Sequence, residues 1–227
     1  MEKEIEKLLK NCRFNANLSC ENFEKNIINR LNNFKGTWSY GSTKLVLIPD
    51  DKDYVIKIPF KGQHRSVFNE FGVQEELKFY PFQLAGDYVD EWDYCAAEQY
   101  KYERIKELGL EDFFVEIKKI NTSLPHPIYI QKRIFDFATS VPKYMEKATR
   151  EEKKKVRNSR LNSSISSSFW LIQAYRVYPK EKVDNFIAAT NSLSIGDLRG
   201  ANLGFLNYKY PVVVDYGGFS DADSFLN

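Results

Sequence analysis

Two short segments near the end of the chain carry residue types that suit phosphate and metal chemistry. Asp197-Leu-Arg-Gly-Ala-Asn202 and Val212-Val-Val-Asp-Tyr-Gly217 set two acidic turns around a compact apolar stretch with a turn at Asn207, which reads as a β-hairpin. An Asp carboxylate and an Asn amide carbonyl are hard oxygen donors of the kind Mg²⁺ takes, and a second carboxylate can orient an attacking hydroxyl. Either turn alone could simply bond its own backbone, a common use of Asp and Asn; the second acidic turn argues for chemistry. Upstream, Lys57 stands in the apolar run Tyr54-Val-Ile-Lys-Ile58. A buried ammonium is costly without a counter-charge, whereas an edge-strand lysine would only lay its stem over apolar surface. Glu98, in Cys95-Ala-Ala-Glu-Gln-Tyr-Lys-Tyr102, is the favoured partner, and Glu103 competes for the role.

The elements that must position these residues follow from pattern. Residues 2–34 read as two short helices, the second opening at Ser19 as N-cap. From Gly36 the pattern turns to β: Lys44–Ile48 and Asp53–Phe60 are β-branched, apolar runs joined by a turn-rich connection from Pro49. Residues 61–90, broken by Gly62, Gly72, Pro81 and Gly86, read as an irregular insertion with one helical segment. Trp92–Leu108 predicts a helix stopped by Gly109, and Phe113–Ile120 and Pro127–Ile134 predict two further strands. The second half reads as helical: a charged run at Thr149–Arg157, a serine-rich stretch at Ser163–Ser168 that loops or caps, then Phe169–Tyr178 and Lys180–Thr190. The fold class is α+β.

Composition narrows the function. The chain has 227 residues, 43% hydrophobic, and a formal charge of +2, enough apolar material for a large core and no electrostatic case for a dedicated nucleic-acid or membrane-surface binder. The run Arg150–Arg157 mixes both signs and reads as a solvated helix face, so nucleic acid is not an expected partner. Cys12, Cys20 and Cys95 are odd in number and lack metal spacing, which fits a reducing cytoplasm; Cys95 reads as a small buried residue. His64 and His126 have no metal spacing either. No apolar run approaches a membrane span, and the N-terminus does not read as a leader.

The two acidic turns, their order and Lys57 together resemble the protein-kinase-like superfamily, whose loops read D-x-x-x-x-N and then D-F-G after a short hairpin and whose strand lysine sits in V-A-I-K. The resemblance spans residues 36 to about 218 and is closest to small kinase-like proteins of bacteriophages and mobile elements. It implies a two-lobed fold with a truncated helical second lobe: an N-terminal helical extension (1–35), a sheet lobe with one helix and an insertion (36–134), and a shortened helical lobe carrying both loops (135–227). It implies ATP and Mg²⁺ as cofactors. Asp197 becomes the catalytic carboxylate, Asn202 and Asp215 the metal ligands, and Lys57 the group on the α- and β-phosphates, paired with Glu98. Arg199 would neutralise charge on the transferring phosphate. Gly41, Ser42 and Thr43 would cover the phosphates, and Gln131, Lys132 and Arg133 would lie on the strand leading to the inter-lobe hinge, where backbone groups meet adenine.

Departures from the pattern shape the functional expectation. The glycine-rich loop is sparse, with Gly41 and the more distant Gly36 where three glycines are usual; Ile195 and Gly196 stand where His and Arg usually precede the catalytic Asp. The short stretch after Gly217 predicts no activation segment and no peptide-docking platform. The expectation is therefore a phosphotransferase acting on itself or on one specific protein partner, in the cytoplasm (the host's, if phage-encoded). The alternatives are a pseudokinase-type module that binds a partner, such as a host protein, and a nucleotidyl transferase.

Overall fold

The computed structural model describes residues 1–9, 31, 34–41, 44–61, 64–68, 74–79, 83–84, 93–124, 127–136, 148–157, 159, 165–193, 195, 198 and 200–216. Helix α1 (Glu2–Leu9) carries Glu2 and Glu4 in its first turn and Lys7 in its last, complementing the helix dipole, and buries Ile5 and Leu9 one turn apart. Strands β1 (Gly36–Tyr40), β2 (Lys44–Pro49) and β3 (Tyr54–Lys61) follow. They pair antiparallel in sequence order, with Trp38 opposite Leu47 and Val46 opposite Lys57.

Beyond them, β4 (His64–Phe68) and β5 (Gln74–Phe79) form a separate two-stranded ladder, and β6 (Gln83–Leu84) pairs with the end of β3. The expected helical segment in 61–90 is thus replaced, over the described part, by strands. Mutual pairing satisfies the backbone groups that face each other, and the register irregularity between Val67 and Phe68 breaks the two-residue alternation by which a strand is recognised in sequence.

Helix α2 (Tyr94–Glu107) starts from a buried N-cap. Asp93 Oδ1 accepts the N–H groups of Cys95 (2.9 Å) and Ala96 (3.0 Å), while Oδ2 accepts the Tyr129 hydroxyl at 2.6 Å. The helix stops as expected at Gly109. That residue has φ 66°, its N–H reaches the Lys106 carbonyl, and the Leu110 N–H reaches that of Ile105, the paired bonds of a Schellman cap.

A 3₁₀ turn (Glu111–Phe113) then precedes β7 (Ile117–Ile120), β8 (Ile128–Lys132) and β9 (Phe135–Asp136). The strand expected from Phe113 begins only at Ile117, because Phe113 and Phe114 are drawn into a helical core. Helices α3 (Arg150–Arg157), α4 (Ile165–Val177) and α5 (Lys180–Ser192) come next. Thr149 and Glu152 form a reciprocal capping box at the start of α3, and the described part of the serine-rich stretch lies in α4, with Ser167 buried. A 3₁₀ turn (Gly200–Asn202) leads into β10 (Leu203–Leu206) and β11 (Tyr210–Val213).

The chain is α+β and divides into two compact units, the first holding Met1–Ala96 and Ile117–Gln131, the second Ala97–Glu116 and the described residues from Lys132 on. In the first, the sheet runs β1-β2-β3-β8-β7. Its core joins Ile5 and Leu9 of α1 to Leu45, Leu47, Ile56, Ile58 and Ile128 of the sheet. Cys95 is buried there beside Ile117 and Tyr129. In the second unit, a sheet ordered β11-β10-β9 packs with α4 and α5. Phe113 lies between Phe186 and Tyr178, with centroids 4.6 and 4.5 Å away, and Trp170 donates its indole N–H to the Val212 carbonyl. Among the described residues, no helix is long and apolar enough to cross a membrane.

Candidate functional site

The β10–β11 hairpin brings the two oxygen-donor candidates to one end. Its register pairs Leu203 with Val213, and one step further the Val214 N–H donates to the Asn202 carbonyl at 2.8 Å. Asn202, at the end of a 3₁₀ turn, is buried. Asp215 follows Val214 directly, half-buried, with φ 57°. Left-handed backbone is uncommon outside glycine, although Asp tolerates it better than most residues.

Successive bonds clamp this turn. Phe114 bridges Val213 in parallel, and the Val115 N–H donates to the Val213 carbonyl at 3.1 Å. Tyr216, fully buried, donates its hydroxyl to the Val115 carbonyl at 2.8 Å and meets Phe114 edge-on at 5.1 Å between centroids. Burial pushes its phenol well above the ordinary range, and the Glu98 carboxylate adds to the shift.

Glu98 reaches the same turn. It is 0% exposed on α2, and its Oε1 accepts the Asp215 N–H at 3.1 Å. Glu103, its competitor, lies exposed and pairs with Lys106 of its own helix at 2.9 Å. The two differ because the face of α2 carrying Tyr102 and Ile105 packs into the core, while Glu103 faces water.

The second unit therefore gathers Asn202, Asp215 and Glu98. Lys57, in the first unit, is 4% exposed on β3 between β2 and β8, a central strand. Gly41 lies in the β1–β2 connection, where its N–H donates to the Lys44 carbonyl at 3.1 Å, and a Cβ there would meet no atom within 4 Å. Gln131 is buried at the end of β8, while Lys132 and Arg133 are exposed. Asp197, Arg199, Ser42 and Thr43 lie outside the described residues.

The donor chemistry fits a hard cation: one amide oxygen and one carboxylate on adjacent ends of a fixed hairpin. Among the described residues no cluster of three or more His, Cys, Asp or Glu could hold a metal ion. Two contributors escaped the sequence reading. Tyr216 anchors the turn, and its only sequence signal is an aromatic residue inside an acidic turn. Asp93 seats α2, and an Asp directly before a helical run is an available N-cap signal. No protein-family model and no curated protein matches this chain.

Proposed function

We propose that this chain is an ATP- and Mg²⁺-dependent phosphotransferase of protein-kinase-like fold, acting on itself or on one bound protein partner. The observation that carries the reading is the hydrogen bond from the Asp215 N–H to the fully buried Glu98. It ties the carboxylate of the helix after β3 to the second acidic turn. Further support comes from the order of the parts: a lysine on the third strand, a helix carrying a buried glutamate, then a hairpin flanked by Asn202 and Asp215, the order in which kinases use such groups.

In this reading Asn202 and Asp215 hold the cation, and Lys57 offsets charge on the α- and β-phosphates. Gly41, Ser42 and Thr43 would cover the phosphates, and the backbone from Gln131 to Arg133 would meet the adenine. Mg²⁺, when bound, draws charge off the phosphate oxygens. Asp197 accepts the proton of the acceptor hydroxyl as its oxygen forms a bond to the γ-phosphorus. The bond from that phosphorus to the bridging oxygen breaks and ADP leaves, with Arg199 offsetting charge on the group in transit.

Incubating the purified protein with γ-labelled or α-labelled ATP and Mg²⁺ tests the reading. Label from the γ-position alone on protein supports phosphotransfer, and label from the α-position indicates nucleotidyl transfer. Nucleotide binding without label leaves a pseudokinase-type partner-binding module, and absence of any nucleotide binding overturns the reading.

A further inference from the structure

The tip of the β10–β11 hairpin carries a feature that the phosphate chemistry does not use. Leu206-Asn207-Tyr208-Lys209 makes a two-residue turn, closed by the Lys209 N–H on the Leu206 carbonyl at 3.1 Å, with φ 52° at Asn207 and 56° at Tyr208. Positive φ at both central positions is the type I′ geometry, whose second position is ordinarily glycine; a bulky ring there is a genuine outlier. The ring is not buried in return. Tyr208 is 62% exposed, with one face stacked on Phe135 of β9 at 3.5 Å between centroids, and so shows its other face to water. Phe135 and Tyr210 are exposed as well, opposite Phe205 and Leu206 of β10, so three aromatic rings meet solvent at one end of one small sheet.

Cations accompany these rings. Lys209 lies over the Tyr210 ring at 5.1 Å from its centroid. Exposed Lys132 and Arg133 precede Phe135, on the side that runs toward the turn because β9 and β10 are antiparallel. From Leu203 to Val213, and from Lys132 to Phe135, the sequence has no carboxylate, a local excess that the formal charge of +2 on the whole chain conceals. An outward aromatic face continues its stack with any planar ring system, and neighbouring cations suit phosphates; a duplex keeps its base faces covered. An acidic protein segment would satisfy the cations but has no need of a ring held flat in a strained turn.

We propose that this hairpin tip binds single-stranded nucleic acid, with Phe135, Tyr208 and Tyr210 as the stacking surface and Lys132, Arg133 and Lys209 on the phosphates. The chemistry recognised, base ring and phosphate, is shared by RNA and DNA. The site is independent of the phosphotransferase reading, in which neither Tyr208 nor Lys209 takes part.

Fluorescence anisotropy of the full chain with labelled oligo(dT) and oligo(U) of about twelve nucleotides tests the proposal. Wild type is expected to bind a single strand about tenfold or more tighter than a duplex of the same length, with log affinity falling against log salt at a slope of about −2 between about 50 and 200 mM. Binding of either oligomer supports the site, and their ratio tells RNA from DNA. Tyr208→Gly, which suits the turn, should weaken binding by about tenfold or more at an unchanged slope, and Lys209→Gln should make the slope shallower by about 0.7. No binding by wild type up to about 0.1 mM at low salt, a duplex bound as tightly, or wild-type affinity in Tyr208→Gly would each overturn the proposal. So would displacement by millimolar ATP with Mg²⁺, which would put the strand in the nucleotide site, or equal displacement by an alternating Glu–Tyr peptide, which would assign the patch to an acidic protein. Should circular dichroism show Tyr208→Gly unfolded, Tyr208→Asn, which also tolerates positive φ, carries the same expectation, and Lys209→Gln decides through the slope if neither folds.

Discussion

The Val214 N–H and the Asn202 carbonyl face each other at 2.8 Å across the open end of the β10–β11 hairpin. Through this bond the backbone of one candidate ligand fixes the residue before the other. The spacing between Asn202 and Asp215 is therefore set by the hairpin ladder rather than by the flanking loops.

The two positions should accordingly fail together. Asn202→Ala and Asp215→Asn are each expected to weaken Mg²⁺-dependent ATP binding by about tenfold or more, roughly 1.4 kcal/mol. Asp197→Asn is expected to keep nucleotide affinity and abolish transfer. Isothermal titration with and without Mg²⁺ separates these cases, and a full biological effect in both Asp variants would move the function to partner binding.

Tyr216→Phe removes one hydroxyl and with it the bond from that hydroxyl to the buried Val115 carbonyl. The expected loss is about 1–2 kcal/mol of unfolding free energy, read by urea denaturation. A neutral result would mean that the ring packing against Phe114 does all of the anchoring.

Gly204 in β10 lies against β9, and a Cβ there would fall 2.8 Å from the Phe135 carbonyl oxygen and would also press into the Ile134 side chain. A backbone oxygen cannot yield as a side chain can. Gly204→Ala is expected to cost about 1–3 kcal/mol, and Ala at wild-type stability would show that β9 can shift off the hairpin.

Arg176 binds Glu152 through two nitrogens, at 2.6 and 2.8 Å, and with the Thr149 N–H holds its carboxyl down at about 2, against an ordinary 4.5. A depressed carboxylate stabilises the fold above the unfolded value, so the contribution is whole above about pH 4.5 and fades as pH falls toward 2. The side chains are about a third exposed, so solvent limits the gain to about 1 kcal/mol or less. Glu152→Gln should melt about 2–4 °C below wild type at neutral pH, and the gap should narrow on acidification. A gap that is constant with pH would show that the charge of Glu152 does not produce it.

Strands and helix ends with strong local signals were legible in the sequence. The run around Lys57 reads as a strand because β-branched residues crowd it, and Gly109 marks the end of α2 because only a residue without a Cβ sits easily at φ 66°. The hairpin between Asn202 and Asp215 was likewise legible, since Asn207 supplies the turn with φ 52°. The choice between Glu98 and Glu103 was not, because both are good helix formers and only packing decides which face is dry. β4 and β5 escaped for the opposite reason: each pairs along its length with the other, and neither carries a clear alternation of its own.

The interleaving of the two units bears on how the chain acquires its structure as it is made. Tyr102 and Ile105 on α2 share a core with Phe169, Trp170 and Phe186, some 60 to 80 residues further along the chain, which a ribosome adds in roughly 3–16 s. Over that interval the apolar face of α2 has been synthesised and its partners have not, although strands β1 to β3 already have each other to pair with. The core around Tyr102 and Ile105 is thus completed only after Phe186 has been added.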